Sequence, residues 1–125
     1  MSIGRKQARE EAFKIIYGLG FLSDGITGDM QDKYMVILVN AVKDNLDQID
    51  EKIKSVAKDF SFDRLFKVDL AVLRLAIAEM LYVDETPNAI AINAAVEISK
   101  KYSTEKSASF VNGVLAAINN AENKG

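Results

Sequence analysis

Hydrophobic residues return along this chain at intervals of three and four, the repeat that aligns one face of an α-helix. The longest example is Met35, Val39, Val42, Leu46, Ile49, Ile53, Val56 and Phe60, in which steps of four and three alternate throughout. It fits one long helix, or two in phase with a break near Asp44-Asn45. Asn and Asp are weak helix formers, which favours the break. Upstream, Ala8, Ala12, Ile15 and Ile16 mark a helix from Ile3 to Ile16, ended by Gly18, Gly20 and Ser23-Asp24-Gly25. Asp24 to Asp29 reads as a loop. Ser61-Phe62-Asp63 reads as a helix start. The run from Leu65 to Tyr82 is apolar almost all round, as in a helix at the middle of a bundle. Thr86-Pro87 reads as N-cap and first helical position of a helix reaching Tyr102. Ser103-Thr104 begins another cap. The last helix carries Phe110, Val111, Val114, Leu115 and Ile118, with a fraying tail from Asn119. Asn112-Gly113 within it predicts close helix packing. No segment alternates with period two for long, so the expected class is all-α, as one domain over 1–125.

Composition narrows the chemistry. The 125 residues include one proline and seven glycines, in keeping with long helices. Cysteine and histidine are absent, which excludes disulfides, Cys/His zinc sites and histidine-based catalytic triads. With 49% hydrophobic and 27% charged residues, the balance is globular and not disordered. Charges recur at the N-terminus through Arg9, Glu10 and Glu11, so no secretory signal is expected there. The stretch Asp69 to Val83 holds Arg74 and Glu79, and is too short and charged for a bilayer core of about 30 Å. A soluble, cytoplasmic protein is expected. No glycine-rich loop opens a helix, so there is no phosphate cradle of that kind. Asp69 and Glu79 are too far apart, about 15 Å along a helix, to share a reaction centre. A buried or interfacial ion pair with Arg74 is the expected reading. Neither enzymatic activity nor a cofactor is expected.

The net charge of −2 conceals an uneven distribution. Arg5, Lys6, Arg9 and Lys14 make the first helix basic, while residues 18–50 are strongly acidic. Arg5 and Arg9 stand four apart, on one face of a helix, with Lys6 beside them. Such a patch neutralises two or three phosphates, or it is simply a solvated helix start. Tyr17 lies about two turns beyond Arg9. It is either an exposed ring for stacking an unpaired base or a half-buried core tyrosine. Lys100, Lys101 and Lys106 flank the Ser103-Thr104 turn just before Phe110. Alone they read as a solvated loop with a core aromatic.

Three stretches together resemble the NusB family of transcription antitermination factors. They are Arg5-Lys6-Gln7-Ala8-Arg9-Glu10 running into Ile15-Ile16-Tyr17, Val68 to Ala76 followed by Glu79, and Pro87 through Asn93 and Glu97 to Phe110-Val111-Asn112-Gly113-Val114-Leu115. The resemblance implies a fold of two small helical bundles with about six or seven helices, and no catalysis. It implies binding of boxA-type RNA together with the ribosomal protein NusE, within an RNA polymerase antitermination complex that reads through terminators in ribosomal RNA operons. It makes Arg5, Lys6, Arg9, Tyr17, Lys106 and Phe110 the RNA-binding set and Asp69 the partner-binding residue. A free monomer and a free homodimer both remain open. Gln7 stands where many relatives continue with arginine, Ala94 replaces a common glutamate, and Lys106 is positive where the family admits an acid. With the sequence ending at Gly125, the catalytic domain that accompanies this fold in some RNA methyltransferases is not expected. The alternative is a helical protein-interaction module with no RNA role of its own.

Overall fold

The computed structural model describes residues 4–19, 32–57 and 62–123. Among these, six α-helices and one short 3₁₀ turn account for the regular structure, and there is no strand. The expected loop Asp24 to Asp29, and Phe60 at the end of the long stripe, lie outside the described residues.

The first helix, α1 (Arg5–Leu19), follows Gly4, whose φ of +81° is a left-handed conformation that glycine adopts freely. Ala8, Ala12, Phe13 and Ile16 form its buried face. Gly18 does not stop the helix; it lies inside the last turn.

The long stripe breaks where the residue types indicated. Helix α2 (Lys33–Asp44) is capped by Asp32, whose carboxylate accepts from the Met35 N–H at 3.0 Å. Helix α3 (Leu46–Val56) begins directly after Asn45. The Asn45 side-chain amide donates to the Ala41 carbonyl at 2.8 Å, and its own carbonyl accepts from the Ile49 N–H at 2.9 Å. One residue thus closes one helix and opens the next, because its amide competes with the backbone for hydrogen bonds. The stripe keeps its phase, and Met35, Val39, Val42, Ile49 and Ile53 are all buried.

After the 3₁₀ turn Phe62–Arg64 comes α4 (Lys67–Tyr82), two residues later than the apolar run predicts. Phe66 occupies its N-cap in an extended conformation and offers no capping group. Helix α5 (Asn88–Tyr102) also starts late. Pro87 stands at its N-cap, and Thr86 does not cap it. The Thr86 hydroxyl is instead engaged by the Tyr34 hydroxyl at 2.7 Å and by the Arg5 guanidinium, which donates to it at 3.3 Å. Helix α6 (Glu105–Asn123) does take the predicted cap, with the Thr104 hydroxyl accepting from the Ser107 N–H at 3.0 Å. It runs beyond the expected fraying point. Asn88 donates to Asn119 at 2.8 Å and Lys52 pairs with Glu122 at 2.6 Å, which tie its end to α5 and α3. The close packing expected at Gly113 is not found: Gly113 is exposed, and a Cβ there meets nothing within 4 Å.

Helix α4 packs against all five other helices. On one side α1 and α2 pack on it and on each other; on the other it joins α3, α5 and α6. The two bundles share one helix and one continuous core, which explains why α4 is apolar all round. No described helix is long and apolar enough to cross a membrane.

Candidate nucleic-acid interface

Two regions carry the residues singled out above. The first is the start of α1. Arg5 and Lys6 are exposed there, but Arg9 turns inward and is only 7% exposed. This corrects the expectation of a free basic face shared by Arg5 and Arg9. Arg9 Nε donates to both Glu79 oxygens, at 2.9 and 3.0 Å. Tyr34 donates to Glu79 Oε2 at 2.5 Å and meets Thr86 as described. Helices α1, α2 and α4 and the turn before α5 thus converge on one buried carboxylate. Burial works against the Arg9 charge, but the hydrogen bond and field of Glu79 overcome it and hold its pKa above the usual value. Burial and the same carboxylate push the Tyr34 hydroxyl up.

This network also corrects the expected pairing of Arg74. Arg74 meets neither Asp69 nor Glu79; its guanidinium forms a two-pronged pair with Asp50 of α3, both bonds at 2.9 Å. The network's sequence signal was available. Arg9 stands four residues before Phe13 and seven before Ile16, on the buried stripe itself.

Arg5 lies 4.2 Å from the centre of the Tyr34 ring and pairs with Glu85 at 2.9 Å. Lys6 and Lys101 line a groove of 440 Å³ between α1 and α5, which also contains Arg9, Ile90 and Ala94. Lys101 is tied to Glu10 at 2.8 Å, and that hydrogen bond holds the Glu10 carboxyl below its usual range. Tyr17 is 47% exposed. It stacks on Phe13 at 6.0 Å between centroids, and Phe13 in turn meets Tyr102 at 5.0 Å. One part of the Tyr17 ring is therefore packed and the rest meets solvent.

The second region brings Asp69, Lys106 and Phe110 together. All three line a pocket of 490 Å³ where the start of α4 meets the start of α6, with Arg64, Phe66 and Ser107. Asp69 is 4% exposed. Its Oδ2 accepts from the Ser107 hydroxyl at 3.3 Å, and Oδ1 has no partner. Burial raises its pKa, and the Ser107 bond only partly opposes this. Lys106 is exposed at the rim and Phe110 is half-buried. Phe66, which sequence reasoning passed over, is the most exposed of the large hydrophobic side chains described, at 71%. Among the described residues no cluster of acidic side chains could hold a metal ion.

Residues 6–120 match the NusB family model. The transcription antitermination protein NusB of Natranaerobius thermophilus is 35% identical, over 98% of this chain and 99% of its own length. That of Listeria monocytogenes is 41% identical, over 91% and 94%. A crystal structure of the antitermination factors NusB and NusE with double-stranded RNA contains a chain that superposes with a TM-score of 0.79. The two are 31% identical, with 94% of this chain and 96% of that one covered. Five described helices around a shared α4, matched along nearly the whole length by such relatives, place this chain in the NusB family.

Proposed function

We propose that this protein is a transcription antitermination factor that binds boxA-type single-stranded RNA jointly with NusE, and so helps RNA polymerase read through terminators in ribosomal RNA operons. The likeness to the chain of the NusB–NusE–RNA complex carries this reading. We read it as one cytoplasmic RNA-binding domain that acts by binding and not by catalysis. Arg5 and Lys6 meet phosphates at the start of α1, and Arg9 holds that helix in place through Glu79. Tyr17, Phe110 and Lys106 supply ring faces and charge for an unpaired strand. Asp69, only 4% exposed, serves the protein partner indirectly, by holding the start of α6 through Ser107. Its pocket is shared with Lys106 and Phe110, so RNA and protein would meet at adjacent points.

The test is a titration of labelled boxA-like RNA with this protein, with and without NusE. The reading expects weak binding alone and tighter, salt-sensitive binding with NusE. Arg5→Ala with Lys6→Ala should weaken the ternary complex. One observation favours the protein-interaction module instead: Arg5, Arg9 and Lys101 already have carboxylate partners. If NusE makes no difference to RNA binding and the double variant changes nothing, that second reading holds.

A further inference from the structure

Phe66 is doubly misplaced for a structural residue. It stands at the N-cap of α4 with no capping group, and it is exposed where a phenylalanine would normally be buried. Conflicts of this kind between local rule and position mark functional sites. Its neighbours define the chemistry. Phe66 lines the same pocket as Phe110, and the pocket's other charged groups are Arg64 and Lys106, both exposed, and the buried Asp69.

We infer that Phe66 is a stacking platform for an unpaired RNA base, with Arg64 and Lys106 holding the flanking phosphates. The inference rests on the RNA-binding reading above and extends that surface from α6 to the start of α4. Charge selects the occupant. Two exposed cations beside the ring disfavour a lysine or arginine from a protein partner and favour a strand that carries phosphates. Leu65, Phe66 and Phe110 give the pocket an apolar lining while Arg64 and Lys106 are exposed at its rim, so the uncharged base turns inward and the backbone stays outside. A ring face is indifferent to base identity, so Phe66 adds affinity and little sequence preference.

The chain has no tryptophan, so Phe66→Trp introduces a single reporter. Because the site is exposed, Phe66→Ala should leave the far-ultraviolet dichroism and unfolding midpoint unchanged. In the presence of NusE, Phe66→Ala should weaken boxA-like RNA binding by roughly 5- to 150-fold without changing its salt dependence. Arg64→Ala should lower the salt slope by about one contact. Phe66→Trp should retain affinity, and RNA should quench its indole fluorescence. An abasic nucleotide at one position should abolish that quenching. If Phe66→Ala binds as tightly as the parent while Arg5→Ala with Lys6→Ala weakens binding, this inference fails and the RNA reading stands. A change in Phe66→Trp emission on adding NusE alone, with none on adding RNA, overturns the inference and assigns the patch to protein. If the parent protein with NusE binds no boxA-like RNA, the reading beneath it fails first.

Discussion

Replacing Arg9 with methionine separates a structural role from an RNA contact. In the parent the Arg9 guanidinium and the Tyr34 hydroxyl satisfy Glu79, whose side chain is almost fully enclosed. Arg9→Met fills most of the space but leaves Glu79 buried with Tyr34 as its remaining donor. Breaking a buried pair by removing one partner costs about 3–5 kcal/mol. For a chain of this length that lowers the thermal midpoint by about 10–20 °C. The double variant Arg9→Met with Glu79→Leu removes both charges, and Tyr34 keeps Thr86 as its partner. Replacing a whole buried pair by apolar groups is close to neutral, so the double variant should recover most of the loss. Urea unfolding followed by far-ultraviolet dichroism gives both numbers, and the four proteins form a thermodynamic cycle. The same recovered variant should bind RNA with NusE nearly as well as the parent. The reasoning is refuted if Arg9→Met costs under about 1 kcal/mol, or if the double variant loses the sum of the two single losses.

Three further outcomes are expected. Lys106→Glu should weaken RNA binding in the presence of NusE and reduce its salt slope by at least about one contact; an unchanged slope removes Lys106 from the interface. Asp69 has a folded pKa raised above the ordinary 3.8, so the folded state binds its proton more tightly than the unfolded state does. Parent stability relative to Asp69→Asn should therefore fall as pH rises from about 3.8 through the raised value, read by urea unfolding at several pH values; a flat or rising difference contradicts the burial argument. Gly113→Ala should stabilise the protein by about 0.5–1 kcal/mol, since the helix there is open to solvent, whereas a loss in unfolding midpoint would restore close packing.

Much of the architecture was legible because period and punctuation agree. The alternating stripe fixed the inward face of α2 and α3, and the residue type at Asn45 located their junction. The turn at Thr104 obeyed its capping chemistry. Elsewhere tertiary partners overrode local preference. Thr86 is a good cap by type, but the Tyr34 hydroxyl claims it from 52 residues away in sequence. Arg9 looked like surface because arginine usually is, and only its register with Phe13 and Ile16 showed otherwise. Asp50 and Arg74 could not be paired from spacing, since they lie on different helices. The gathering of Asp69, Lys106 and Phe110 around one pocket depends on how α4 and α6 cross, which no local pattern encodes. Phe66 escaped notice because a lone phenylalanine in an apolar stretch reads as core.

The contact between Arg5 and Glu85 turns the start of α1 into an ion exchanger. A phosphate arriving there would displace a carboxylate already in place, and so release fewer mobile counterions than a bare cation would. Letting go of an exposed pair costs only about 0.2–1 kcal/mol, so the exchange is easy in either direction. Affinity and salt sensitivity therefore part company at this position: Arg5 can contribute to holding RNA while adding little to the slope. On the proposed RNA-binding reading, a tally of positive side chains overstates how sharply salt would dissociate RNA from this protein, and the remaining slope would report mainly on Lys6, Arg64 and Lys106.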